Sequence, residues 1–135
     1  MDIGESLDRI LKQTAILASQ LYSLFLERYP EVRPHFAGVN LQRQALMLTS
    51  ALMMVERHHA GSYPAAKMFL KYLGTKHHDR GVLPELYPKF RDALLETLQR
   101  FHGEEWDSHL ATQWGAAFDR TVETMHEGYR EHLHV

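Results

Sequence analysis

The stretch LGTKHHDRGVLPELYP, residues 73–88, carries a helical pattern into two adjacent histidines and then stops it with Gly81 and Pro84. Leu73 lies four residues before His77, and Phe69 four before Leu73, so His77 continues an apolar helix face. His78 is turned about 100° away and falls beside Asp79. Imidazoles near a helix C-terminus suit the negative end of its dipole, which accounts for one of them without any ligand. An imidazole on the apolar face is either a satisfied core residue or a ligand, and spacing alone leaves both open.

Outward from this stretch the same helical period recurs in both directions. Leu7, Ile10 and Leu11, then Leu17, Leu21, Leu24 and Phe25, form a stripe running toward Arg28. Pro30 and Pro34 break it and permit one short turn between them. Asn40 is placed to cap a long helix carrying Leu46, Leu48, Leu52, Met53 and Val55, which Gly61 and Pro64 end. A shorter helix follows through Met68, Phe69, Tyr72 and Leu73 to His77. Pro84 stands near the first turn of the next, with Phe90, Leu94, Leu95 and Leu98 on one face. Gly103 separates it from a last helix from about Glu104 to beyond Met125, with Trp106, Leu110, Trp114, Phe118 and Val122 inside. Strand signals are nearly absent, so the fold class is all-α.

Size and composition fit one domain over residues 1–135: 44% of residues are hydrophobic and 24% charged. A net charge of -2 gives no electrostatic case for nucleic acid or an anionic membrane as partner. Without cysteine there is no disulfide framework and no thiolate site, which suits a cytoplasmic location. The N-terminus MDIGESLDRILKQ is acidic and amphipathic rather than signal-like. No apolar run reaches the roughly 20 residues of a membrane span.

The unusual number is ten histidines. His102, His109, His132 and His134 fall at helix ends or beside acidic residues and read as solvated surface. His58 and His59 close a helix, where imidazole can partner the last carbonyls, and His35 reads as surface in a Pro-bounded turn. Glu56 with His59, and Glu123 with His126, repeat the Glu-x-x-His spacing of di-iron helical bundles. Both pairs sit near helix ends, whereas that metal site needs them at mid-helix with two further inward glutamates, so the spacing does not make a metal centre here.

Taken together, these stretches resemble the globins, in particular bacterial single-domain globins and the haem domains of flavohaemoglobins. LYSLFLERYPEVRPHF is similar to the second helix and its corner, with Pro30 and Phe36 at the corner positions. NLQRQAL resembles the distal helix, KHHDRGVLPELYPKFRDALL the proximal segment and WGAAF a landmark of the last helix. The resemblance spans about residues 3–128, and implies no additional helix between Phe36 and the distal helix.

What the resemblance implies is specific. The seven-residue step to Pro84 makes His77 the iron ligand of haem b (iron protoporphyrin IX), with His78 a solvated neighbour. Phe36 presses on the porphyrin face, while Leu73, Val82, Phe90 and Leu94 fill the proximal side. Burying the porphyrin is worth on the order of 10 kcal/mol gross. Tyr22 and Gln42 take the distal positions that hydrogen-bond a ligand, and Leu46 covers it. Dioxygen in such a pocket accepts hydrogen bonds strongly and carbon monoxide weakly. Tyr87 matches a tyrosine that joins a last-helix glutamate and the proximal histidine, but the glutamate's position holds Tyr129, with Glu127 on another face. A strongly anionic push on the iron is therefore not expected. The implied activity is dioxygen binding and dioxygenation of nitric oxide to nitrate. The chain ends at Val135, so electrons are expected from a separate flavin reductase. Oxygen storage, or gas sensing through movement of the proximal helix, are the rival roles.

Overall fold

The computed structural model describes residues 1–61 and 63–132, the last by its backbone alone, so the reading of His134 lies outside it, as does that of the His132 side chain. Six α-helices carry the described chain: α1 Ile3–Lys12, α2 Thr14–Arg28, α3 Leu41–Ala60, α4 Pro64–Asp79, α5 Leu86–His102 and α6 Ser108–His132. A 3-10 turn, Pro30–Phe36, forms the corner after α2, and no further helix lies between Phe36 and α3.

The stripe that reads as one run toward Arg28 is two helices. Asp2 and Glu5 start α1 with a reciprocal capping box, the Asp2 carboxylate accepting from the Glu5 N–H at 2.9 Å. The chain turns at Gln13, whose carbonyl accepts the N–H groups of Ile16 and Leu17 and so begins α2. The turn lets α1 bury Ile3, Leu7 and Ile10 against α3 and α6, while α2 packs on α3 and α5. The last helix also starts later than Glu104: Gly103–Glu105 forms a 3-10 turn, and Asp107 caps α6 through the Leu110 N–H at 2.8 Å. Asn40 does cap α3, accepting from the Arg43 N–H at 3.1 Å.

The core sits where α2, α5 and α6 meet α1 and α3, around the fully buried Leu7, Leu21, Leu70, Leu94, Leu98 and Trp114. Trp114 donates its indole N–H to Ser6 Oγ at 2.9 Å, and the same oxygen is hydrogen-bonded to His102 Nε2 at 2.6 Å. His102 is therefore buried, not solvated: a helix end can be polar in sequence and still be covered by a distant helix. His58 is likewise buried, bonded to Thr124 Oγ1 at 2.7 Å across α3 and α6 rather than to the last carbonyls of its own helix.

Helices α4 and α6 cross with their backbones in contact. Gly74 and Gly128 face the crossing from the two sides. A Cβ on Gly74 would overlap the backbone of Met125, and one on Gly128 would overlap the carbonyl of Lys71. Thr75 closes the crossing by donating its hydroxyl to the Gly128 carbonyl at 3.0 Å. Each glycine stands beside a residue of interest, since His77 is three residues past Gly74 and Tyr129 follows Gly128.

Candidate functional site

The histidine stretch ends α4 in a Schellman motif. Gly81 takes φ 79°, its N–H reaches the His78 carbonyl at 3.0 Å, and the Val82 N–H reaches the His77 carbonyl at 3.0 Å. His77 is thereby fixed in the last turn, half-buried, while His78 is exposed with its ring 4.8 Å from that of Tyr129. His77 Nδ1 lies 3.4 Å from the Tyr87 hydroxyl, and its Nε2 makes no hydrogen bond among the described residues. Burial pushes the imidazole down to about 4, helped by the charges of Arg80 and His35. At neutral pH it is a neutral imidazole with one nitrogen committed and the other available as a donor to a metal.

Tyr87, buried at the start of α5, is hydrogen-bonded on its other side to the Tyr129 hydroxyl of α6. Burial raises the Tyr87 phenol well above the usual tyrosine range, so it stays protonated. Of the apolar residues expected on the proximal side, Leu73, Val82 and Phe90 are half-buried and Leu94 is fully buried. No cluster of three metal-ligating side chains occurs among the described residues; Glu56 is buried in an ion pair with Arg57 and Glu123 is exposed.

The facing wall comes from α2, the corner and α3. Tyr22 is buried with its ring 5.4 Å from that of Phe36. Phe25 joins this pair to the proximal side, 6.4 Å from Phe36 and 5.3 Å from Phe90. The Tyr22 hydroxyl oxygen accepts a hydrogen bond from Gln44 Nε2 at 3.1 Å. Gln42 is exposed, as is Leu46 at 66%. A step of two residues turns a helix by about 200°, so Gln42 and Gln44 flank the buried face of α3 from opposite sides. The doublet in QRQAL contains both glutamines, and only the roll of α3 against α2 tells which of them meets Tyr22. Burial raises the Tyr22 phenol above its ordinary value, partly offset by the Gln44 bond, so Tyr22 keeps its hydrogen at neutral pH.

Residues 19–125 match the Globin family. The chain belongs to the globin family, one of haem-based binding of diatomic gases. It is 29% identical over 107 residues to a Gossypium hirsutum protein named as an anaerobic nitrite reductase, covering 78% of this chain and 65% of that one. A Casuarina glauca protein, also named as an anaerobic nitrite reductase, is 31% identical, over 72% of this chain and 56% of its own. A flavohemoprotein from Candida norvegensis is 26% identical, over 90% of this chain and 32% of its own. This globin thus spans about two thirds or less of those relatives. Among solved structures, a bacterial globin from Campylobacter jejuni superposes with a TM-score of 0.80 at 20% identity, covering 98% of this chain and 95% of that one. A Pseudomonas aeruginosa protein described as highly homologous in structure to a human hemoglobin gives 0.76 at 21%, covering 95% and 98%. Both show the fold.

The residues fit haem. A neutral imidazole offers Nε2, flat or branched apolar side chains stand at Phe36, Leu73, Val82 and Phe90, and a phenol hydrogen is available opposite at Tyr22. No described helix is long and apolar enough to cross a membrane.

Proposed function

We propose that this globin would hold haem b through His77, take dioxygen on the Tyr22 side of the site, and turn nitric oxide into nitrate. One observation carries the reading: Gln44 donates to the Tyr22 oxygen, so the phenol hydrogen remains free to be donated into the pocket. Bound haem supplies reversible ligation of a diatomic gas and one-electron redox chemistry at the iron. His77 would anchor it, Phe36 and Leu73 would exclude water, and Tyr22 would donate its hydroxyl hydrogen to a ligand with partial negative charge. A hydrogen bond to such an acceptor contributes about 1.5–3 kcal/mol, a tenfold to more than hundredfold gain in affinity. Gln42 and Leu46 are exposed on the other flank of α3, so neither reaches the Tyr22 hydroxyl as Gln44 does.

The net conversion joins one nitric oxide, one dioxygen and one electron into one nitrate, the electron coming from a separate flavin reductase in a cytoplasmic setting. Likeness to a flavohemoprotein over 90% of the chain supports a flavin as the electron source. A second reading follows from the plant relatives named as anaerobic nitrite reductases: without dioxygen, the same pocket reduces nitrite to nitric oxide with one electron and two protons, yielding water.

The deciding experiment is steady-state gas consumption by the haem-loaded protein with a generic flavin reductase. Sustained loss of nitric oxide in air, with stoichiometric nitrate, supports the dioxygenase. Nitric oxide release from nitrite only under argon supports the second reading. A single burst that ends in ferric haem, despite a reductase shown to reduce it, rejects turnover and leaves a gas-binding or sensing role.

A further inference from the structure

We propose that Tyr129 and His126 of α6 end the hydrogen-bond chain that begins at His77, and that this ending, which holds no carboxylate, limits how basic the proximal ligand becomes. The proposal rests on His77 being the haem ligand. With Nε2 given to a metal, Nδ1 must carry the imidazole hydrogen and donate it to the Tyr87 oxygen, 3.4 Å away. Tyr87 then sends its own hydrogen to the Tyr129 oxygen, the other partner of its hydroxyl. That leaves the Tyr129 hydrogen to be placed.

His126 stands where an acceptor is required. Its ring lies 5.3 Å from the Tyr129 ring and 5.8 Å from the Tyr87 ring, and its Nε2 is buried with no hydrogen-bond partner among the described residues. A buried imidazole nitrogen left unpaired is costly, so a small turn of either ring that joins Tyr129 to Nε2 is favoured. The carboxylates of this part of α6 are engaged elsewhere: Lys71 bonds Glu131 at 2.7 Å and lies 3.9 Å from Glu127. The chain therefore runs His77, Tyr87, Tyr129, His126 with no carboxylate in it. A carboxylate at its end would draw the Nδ1 hydrogen away and push electron density toward the metal; two phenols and an imidazole do so weakly. Tyr129 and His126 are positioning residues, acting on His77 through Tyr87. Their effect is to keep the His77 imidazole closer to a neutral donor than to an imidazolate.

The test reads the proximal bond, not activity. In the haem-loaded ferrous protein, the iron–histidine stretch by resonance Raman and the ferric/ferrous midpoint potential are measured for Tyr129→Phe, His126→Leu, His126→Gln and Tyr129→Glu. Tyr129→Phe and His126→Leu are expected to lower the stretch and raise the potential. His126→Gln, whose amide oxygen can accept, should stay near the unaltered protein, and Tyr129→Glu should move both readouts the opposite way. Unchanged values in Tyr129→Phe and His126→Leu overturn the proposal. A stretch that survives His77→Ala instead rejects the ligand assignment beneath it. A readout independent of haem is the 15N shift pattern of His126 in the purified chain. An unprotonated, hydrogen-bonded Nε2 that changes in Tyr129→Phe supports the chain, and a protonated Nε2 rules it out.

Discussion

A phenol has one hydrogen to give, and in this globin the partner of Tyr22 decides where it goes. Gln44 Nε2 is a donor only, so its 3.1 Å bond occupies an oxygen lone pair of Tyr22 and leaves the hydrogen unspent. Tyr22→Phe should therefore speed dioxygen release at least tenfold by flash photolysis, as expected for losing one charge-assisted bond. The two glutamines separate by the same measurement. Gln44→Leu frees Tyr22 to turn away and should speed release several-fold, whereas Gln42→Leu, an exposed position, should change it less than twofold. Equal effects would mean that the roll of α3 does not select between them. The adjacent histidines divide in a comparable way. His77→Ala should abolish the ferrous iron–histidine stretch and His78→Ala should preserve it, because only His77 is shielded from water with Nε2 unengaged.

At the scale of elements, the proximal site depends on how closely α4 and α6 approach. Replacing glycine by alanine inside a helix ordinarily gains up to about 1 kcal/mol. At Gly74 and Gly128 the added methyl meets backbone, which cannot step aside, and overpacking of that kind costs about 1–3 kcal/mol or more. The clash wins, so Gly74→Ala and Gly128→Ala should each lower the urea midpoint and weaken haem retention together. Gly115→Ala is the control: its methyl would meet the end of the Arg91 side chain, which can move, and stability should stay within about 1 kcal/mol. A Gly74→Ala protein as stable as the control would remove the crossing from the account. These glycines were not legible as contacts in the sequence, since each looks like a helix weakness until the partner helix is known. The ends of elements were more legible: Asn40 as a cap, Pro30 at the corner and Gly81 past the histidines all act locally. The break at Gln13 was hidden because apolar spacing continues across it while the direction of burial changes.

Across the whole molecule, what the sequence conceals most is which polar residues a distant helix covers. His102 meets Ser6 across 96 residues of chain, and His58 meets Thr124 across 66, so neither environment is written near the histidine itself. Both imidazoles are held below the ordinary value of 6.5, first by burial, then by Arg120 and Lys67 at His58 and by Arg9 at His102. The sign follows from linkage. Below pH 6.5 the unfolded chain takes up a proton at each position that the folded chain refuses, so stability falls as pH falls. Above that value both states are neutral there, and the contribution vanishes. The paired carboxylates Glu31, Glu105 and Glu131 sit below the ordinary 4.5 and act only at more acid pH, which keeps the two effects apart. Urea midpoints should accordingly drop between pH 7.5 and 5.0, with His58→Gln and His102→Gln each flattening that slope. The glutamine amide can still meet Thr124 or Ser6 but has no proton to gain in this range. A slope that neither substitution alters would place the acid sensitivity of this globin outside its buried histidine contacts between helices.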